Sequence, residues 1–384
     1  MRILALRTNG LVLPSVHASM VRAFQSLGVD IFDLPVPQSK EEFSSLKSQA
    51  HHGIQAIFAL NLGKDQNFIS FVKDLQESIR IPWIIWFVDD PEGYGFPGSC
   101  QAKWTIAFCW DGELSREISM KYSGKGVSIF HLPLATDPEV FFPEKIGSSP
   151  RFPGGVFVGS IAQSNEVLEK VVQTTPDFFE DLKAIWDIYR GDLKGSAGSI
   201  ARIYLQEKIG QAPGVIQTDS LCRLWIHAAV YVLGIWKRRE LVSRLIGPAG
   251  GVFGDRGWAQ AVGTLYQGQI AYGEEVRKVY NNSSFILDIR QPQSRTGLTQ
   301  RIFDAGACAR PVLVEYSPEL ELFFEPEDEL FYFMNPEQAL DLKNRYFNNC
   351  AEERIKTEKA RRNILAQHTY RHRAAQLLNI LRQY

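Results

Sequence analysis

The stretch GLTQRIFDAGACARPVLVEY (297–316) sets Arg301 and Asp304 one helical turn apart, flanks them with small residues, stops at Pro311 and runs into a strand. Ser294, Arg295 and Thr296 crowd the start of the expected helix. Unpaired backbone N–H groups, two hydroxyls and a guanidinium suit a pyrophosphate. Asp304 would follow about two turns further on, roughly 10 Å, a reach suited to a ribose whose two hydroxyls one carboxylate can accept. The small residues 305–309 would let the helix sit close to a sheet or a ligand. The same pattern also fits an amphipathic helix with a surface Arg301/Asp304 ion pair and small residues placed for packing alone. Spacing does not choose between them.

Other chemistry-bearing residues follow apolar runs. Gly159 and Ser160 end GVFVGS, where a backbone without a side chain can approach a phosphate, or simply turn. Asp89 and Asp90 follow WIIWFV and could serve as a general base or hold sugar hydroxyls; capping the next helix or forming a turn is the competing use. Asp111 follows WTIAFC in the same topological place, and His131 ends SIFHL as a catalytic or a structural histidine. Tyr272, at the end of GQIAY, joins Gly159, Ser160, Ser294, Arg295, Thr296, Arg301 and Asp304 in a nucleotide-binding set. His and Cys lack ligand spacing, Asp89 and Asp90 lack a third donor nearby, and no GxSxG, HExxH or P-loop occurs, so no metal site is expected.

Positioning these residues requires strand ends. RILAL (2–6), AIFAL (56–60), WIIWFV (83–88), WTIAFC (104–109) and SIFHL (128–132) alternate with VHASMVRAFQSLG and NFISFVKDLQESI, the pattern of a doubly wound α/β domain ending near Pro143. EKIGSSPRFPGG (144–155) reads as a hinge. A second α/β lobe opens at GVFVGS (155–160), with helices over about 163–246 and strands GGVFG (250–254), GQIAY (268–272), FILDI (285–289) and PVLVE (311–315). The expected organisation is domain 1–145, domain 151–365 with a helical insert at about 161–246, and a C-terminal helix at 366–384 packing back on the first domain. A helix break is expected at His368 and Thr369, where Thr can cap. Two such lobes bind ligands at the carboxyl ends of their strands.

Bulk properties agree. A chain of 384 residues suits two domains, 45% apolar and 22% charged residues describe an ordinary globular protein, and a net charge of -1 gives no general attraction to nucleic acid or anionic lipid. The five cysteines are scattered without a CxxC pair, which reads as reduced thiols in a cytoplasmic protein. MRILALRTNG lacks the apolar core of a signal peptide. LWIHAAVYVLGIW (224–236) is too short to span a bilayer and reads as a buried helix; the cluster Lys237, Arg238, Arg239 after it fits a C-terminal turn answering the helix dipole, or a helix on a membrane surface.

WFVDDP, CWDGEL, HLPLATDPEVFFP, VFVGS, YNNSSFILDI, RIFDAGACARPVL and QHTYRHRA, in this order, resemble the spore-maturation (Cge-type) glycosyltransferase-like proteins, part of the GT-B glycosyltransferases of group 1. The likeness covers most of the chain except about 161–246. It implies two Rossmann-like doubly wound domains facing across a cleft, a nucleotide-sugar donor (UDP- or GDP-sugar) on the second lobe, a glycan or protein acceptor on the first, and no obligatory metal. Asp304 falls where relatives place the acid that contacts the ribose, and Arg301 where this subgroup places Arg. Many relatives carry a second Glu eight residues earlier; here that position is Thr296.

The leading expectation is a cytoplasmic, metal-independent glycosyltransferase of hexosyl type. Arg295, Arg301 and the helix N-terminus would stabilise the departing diphosphate, Asp304 would hold the ribose, and Asp89, Asp90 or His131 would orient and activate the acceptor. A noncatalytic descendant that binds a nucleotide or glycan, and a sugar-phosphate enzyme of another reaction type, are the alternatives.

Overall fold

A computed structural model describes residues 1–383 apart from 51–52, 64, 97–103, 123–127, 146–148, 162–165, 212–218, 292 and 348–350. Residues 146–148 of the expected hinge thus lie outside the described residues. The chain forms two compact units, Met1–Pro138 with Leu365–Tyr384, and Glu139–Ile364.

Unit 1 holds six parallel strands, β1 (Arg2–Arg7), β2 (Asp30–Pro35), β3 (Ala56–Leu60), β4 (Trp83–Phe87), β5 (Thr105–Cys109) and β6 (Ser128–His131), in the order β2-β1-β3-β4-β5-β6. The side chains of β3, β4 and β5 are buried throughout, the signature of a parallel strand covered on both faces, which is why these three read so clearly in the sequence. Strand β2, DIFDLP, escaped that reading because it is an edge strand whose residues are all at least partly exposed. Helix α1 (Leu13–Ser26) covers the sheet, burying Val16, Met20, Val21, Ala23 and Phe24 at helical spacing.

Unit 2 repeats the plan with β7 (Val156–Val158), β8 (Gly251–Phe253), β9 (Tyr266–Gly268), β10 (Ile286–Asp288), β11 (Val312–Glu315) and β12 (Phe331–Phe333), ordered β12-β11-β10-β7-β8-β9 and parallel. Strand β9 sits before the expected GQIAY, and β12 was not foreseen. The order reverses between β7 and β10. In open α/β sheets ligands bind outside the carboxyl ends of the strands at such a switch point.

Between β7 and β8 stand α5 (Glu166–Thr174), α6 (Phe178–Tyr189), α7 (Ala197–Gln211) and α8 (Asp219–Leu245). Trp225, Ala228, Ala229, Val232 and Leu233 of α8 are buried in the same core as the sheet while His227 is exposed, so LWIHAAVYVLGIW is a helix with one face in the interior. Among the described residues no helix is long and apolar enough to cross a membrane. After β12 come α14 (Pro336–Tyr346), α15 (Ala351–Gln367) and α16 (Tyr370–Leu381), with Thr369 and His372 forming a capping box at the expected break. Helix α16 lies in unit 1 against α1. Its Arg373 is 1% exposed and donates to the carbonyls of Pro133 and Leu134, while Tyr370 meets the Trp86 ring edge-on.

Candidate functional site

At the switch point of unit 2 the carboxyl ends of β7 and β10 are joined by one side chain. Helix α11 (Gln300–Ala307) is capped by Thr299, whose hydroxyl accepts from the Arg301 amide and donates to Oδ1 of Asp288 at 2.6 Å. Arg301 then reaches back over the Phe157 ring, Nε to Asp288 Oδ1 at 2.9 Å, Nη1 to the Val158 carbonyl at 3.0 Å and Nη2 to the Ile289 carbonyl at 2.7 Å. Asp288 is buried and terminates β10, so this set of bonds ties helix start, strand end and neighbouring strand together. The surface Arg301/Asp304 pair read from spacing is replaced by this buried pairing. Arg301 is committed to protein groups rather than left facing a diphosphate.

Asp304 is 1% exposed, five residues past the cap or roughly 7.5 Å along the axis. Its Oδ2 accepts the Tyr272 hydroxyl at 2.6 Å and its Oδ1 the Gln300 amide at 3.2 Å. Tyr272 and Asp304, singled out separately in the sequence, therefore meet. The small residues nearby have a structural reason: a β-carbon at Gly306 would stand 2.3 Å from Cδ1 of Ile364 on α15, and Ala309 takes a left-handed conformation (φ 53) that ends the helix before Pro311.

Ser294, Arg295 and Thr296 precede the cap by three to five residues and so shape the loop after β10 rather than the helix end itself. Ser294 Oγ donates to the Gly297 carbonyl at 3.0 Å. Thr296 Oγ1 donates to Oε1 of buried Glu319 at 2.8 Å, and the Ser317 hydroxyl donates to the Thr296 carbonyl. A carboxylate thus stands beside position 296 after all, delivered by the loop after β11.

Gly159 and Ser160 follow β7. Three successive carbonyls accept from side chains of three elements: Val158 from Arg301, Gly159 from Trp258 Nε1 at 2.7 Å, and Ser160 from Arg238 Nη1 at 2.5 Å. A β-carbon at Gly159 would press on the Phe157 ring and Nη1 of Arg301, and one at Gly254 would meet the Gly159 carbonyl at 2.2 Å. Packing requires glycine at 254, whereas at 159 the Phe157 ring or Arg301 would have to give by a few tenths of an ångström. Burial, followed by the neighbouring charge of Arg301, pushes the Arg238 guanidinium down to about 10.

Lys237 and Arg238 were expected at a helix end. They lie inside α8, which continues to Leu245, and both turn inward. Lys237 is 2% exposed and donates to Glu315 Oε1 at 2.8 Å and to the Tyr189 hydroxyl at 3.0 Å. Glu315, fully buried, also accepts from the amide and Nε of Arg290; attraction to Lys237 and Arg290 outweighs its burial and holds its carboxyl below the usual range. Lys237, directly after the apolar run LWIHAAVYVLGIW, was the available signal for this network.

Unit 1 carries a second cluster at the ends of β3 and β4. Asn61, buried and left-handed (φ 47), accepts from the Val88 amide and donates to Asp89 Oδ2, each at 2.9 Å. Asp89 is partly exposed and its carboxyl is raised to about 6, chiefly by burial, with the charge of Asp90 adding and hydrogen bonds from Asn61 and Tyr94 opposing. Asp90 takes the turn role, accepting the Glu92 amide at 3.0 Å. Asp111 caps α4 (Gly112–Lys121) through the amides of Glu113 and Leu114. His131 ends β6, separated from β4 by β5, so it shares a sheet end with Asp89 without adjoining it. Sequence reasoning passed over Asn61, and also buried His17, whose Nε2 lies 2.9 Å from Asp33 Oδ1.

Among the described residues no group of three or more His, Cys, Asp or Glu is placed to hold a metal. Cys109, Cys222 and Cys308 form no disulfide.

Residues 233–379 match a family model described as glycosyl transferase-like, a span that takes in α8 from Leu233, the Asp288/Arg301 latch and Asp304. Comparison of the sequence with curated proteins gave no match. Among solved structures, the chain is similar over its full length to sucrose-phosphate synthase from Thermosynechococcus elongatus (10% identity, 98% of that chain, TM-score 0.54). It is similar likewise to Anabaena HepE in complex with UDP (10% identity, 100% of that chain, TM-score 0.50) and to a glycosyltransferase from Rickettsia africae ESF-5 (9% identity, 98% of that chain, TM-score 0.50). At these identities the likeness is one of fold, and it extends over both units: two six-stranded parallel sheets flanked by helices, the GT-B class.

Proposed function

We propose that the protein is a glycosyltransferase that moves a hexosyl unit from a nucleotide-diphosphate sugar to a hydroxyl of a glycan or protein acceptor, without an obligatory metal. Asp304 carries the reading. It is a buried carboxylate oriented by Tyr272, on a helix whose start is locked to the switch point of the sheet, within the span that matches the glycosyl transferase-like family. The ordered motifs that resemble the Cge-type proteins support the same assignment.

In this reading the donor ribose hydroxyls share the Asp304 carboxylate with Tyr272 and the Gln300 side chain, since one ionised carboxylate can accept several hydrogen bonds at once. Arg295, on the loop after β10, meets the diphosphate, and Arg301 is a positioning residue that fixes the loops on either side. Gly159 and Ser160 form the floor, their carbonyls held from behind. As the sugar–phosphate bond breaks, negative charge grows on the diphosphate, and a guanidinium placed there favours the transition state over the ground state. The acceptor hydroxyl forms the new glycosidic bond and releases its proton; Asp89 is the candidate base that unit 1 offers, its carboxyl near 6 being ionised at neutral pH yet basic enough to take a proton. A UDP complex of the similar Anabaena structure makes UDP the first ligand, and UDP-sugars the first donors, to test.

The experiment is a calorimetric titration with UDP, GDP and their sugars, followed by assay of released nucleoside diphosphate. Binding that Asp304→Ala weakens at least about tenfold supports the reading; binding that ignores Asp304 removes it. A binding protein without turnover is the second reading, favoured by Thr296 standing where many relatives carry Glu, and it predicts donor binding with no diphosphate released under any acceptor mixture.

A further inference from the structure

The helical insert meets the loop after β10 at two places. Arg290, buried just beyond β10, donates from Nη2 to the carbonyls of Leu193 and Gly195, in the connection between α6 and α7, and from Nη1 to the carbonyl of Arg295 at 3.2 Å. Its Nε and amide are held by Glu315, which Lys237 of α8 also engages. One guanidinium therefore reads the insert with one nitrogen and sets the backbone of residue 295 with another. The second place is Gly198, in the first turn of α7. A β-carbon there would stand 2.8 Å from Nη1 and 3.5 Å from Cζ of Arg295, with Cγ2 of Val230 at 3.3 Å. The Arg295 side chain thus lies directly on the helix backbone, in space that any larger residue would claim.

We propose that the insert is a wall of the donor site, and that Arg290 and Gly198 are positioning residues through which it sets the place of the Arg295 guanidinium against a diphosphate. This rests on the donor reading given above and assigns the insert a task within it. The alternative use of α5–α8, as a platform for some other molecule, requires nothing of Gly198. A bare helix backbone against an arginine is what a position-setting contact needs, because a guanidinium that must meet a phosphate fork within tenths of an ångström gains from a flat, fixed support.

The test is a double-mutant cycle read by UDP titration and thermal unfolding. Gly198→Ala should hold or raise the melting temperature, since Ala is the better helix residue and only the end of a flexible side chain must move. It should weaken UDP binding about fivefold, and Arg295→Ala about tenfold or more. The double variant should bind no more weakly than Arg295→Ala alone, because Gly198 acts only through that side chain. If Val230 makes the alanine destabilising, Val230→Ala in the same chain supplies the room and the cycle is read there. Arg290→Lys, which keeps a cation for Glu315 but loses the forked donors, should likewise weaken UDP only while Arg295 is present.

UDP binding unchanged by Gly198→Ala, or effects of Gly198→Ala and Arg295→Ala that multiply, would overturn this proposal alone. Failure of the unaltered protein to bind either UDP or GDP would overturn the donor reading, and this proposal with it.

Discussion

Arg301 passes by Asp304, one turn away on its own helix, and pairs instead with Asp288, Nε to Oδ1 at 2.9 Å, at the end of the adjacent strand. The acid nearest in sequence is left to Tyr272, so two carboxylates that could have competed for one arginine are given separate tasks.

Asp288→Asn should therefore be costly to the fold. It leaves the guanidinium, 13% exposed, without its counter-charge, and breaking one partner of a buried pair costs about 3–5 kcal/mol. Chemical denaturation of the variant checks this. A loss below about 1 kcal/mol would mean that the three carbonyl and cap bonds around Arg301 suffice without the charge.

Tyr272→Phe removes one hydrogen bond to a charged acceptor and keeps the ring packed on Phe141. UDP affinity should fall by about three- to tenfold, less than for Asp304→Ala, with little change in melting temperature. Equal losses for the two variants would place Tyr272 itself on the ligand.

The raised carboxyl of Asp89 makes two pH predictions. Transfer should show an acid limb at about 6, and Asn61→Gly, which permits the left-handed backbone while deleting the donor to Asp89, should move that limb upward, because this hydrogen bond favours the ionised form. A limb that stays in place excludes Asp89 as the base. For stability the sign runs the other way from a salt-bridged acid. The folded chain binds the proton more tightly than the unfolded chain, whose carboxyl stays at 3.8, so stability is lost as pH rises from 3.8 through 6. Asp89→Asn should consequently gain about 1–3 kcal/mol at pH 7.5 and nothing near pH 3.5.

His17 predicts acid sensitivity. Burial holds its imidazole below 6.5, against the opposing hydrogen bond and charge of Asp33. The unfolded chain then takes up the proton first, so the contribution to stability is complete above 6.5 and declines as pH falls below it. His17→Phe should flatten the dependence of the melting temperature on pH below 6.5; a slope as steep as that of the parent would assign the acid sensitivity to other groups.

Strand cores were legible because β3, β4 and β5 are buried on both faces, leaving unbroken apolar runs. Two α/β lobes followed from two such series, and the GT-B class from the ordered motifs that resemble known glycosyltransferases; that Tyr272 and Asp304 meet is not legible in their spacing. What escaped is of a different kind. Asn61 follows AIFAL with no partner nearby in sequence; its partner, Asp89, is 28 residues away. Glu315 ends an apolar strand and gave no sign that Lys237 and Arg290 would converge on it. Arg301 stood out in the sequence but its pairing with Asp288 did not, because spacing along a helix shows which residues share a face and not which strand end lies beneath. β2 was missed because it is an exposed edge strand whose apolar residues are interrupted by Asp33, whereas β12 lies in the apolar run LFYFM (330–334), a signal that was present.

The return of the last helix has a consequence for synthesis. Unit 1 begins at the first residue, yet it includes α16, whose Arg373 satisfies the carbonyls after β6 and whose Tyr370 closes over Trp86. A chain leaving the ribosome offers Glu139–Ile364 as a continuous piece that can fold as it emerges, while residues 1–138, made before it, wait with one face unsealed until α16 follows. The unit whose synthesis starts earlier is thus completed later. Deletion of α16 should accordingly damage residues 1–138 and spare Glu139–Ile364.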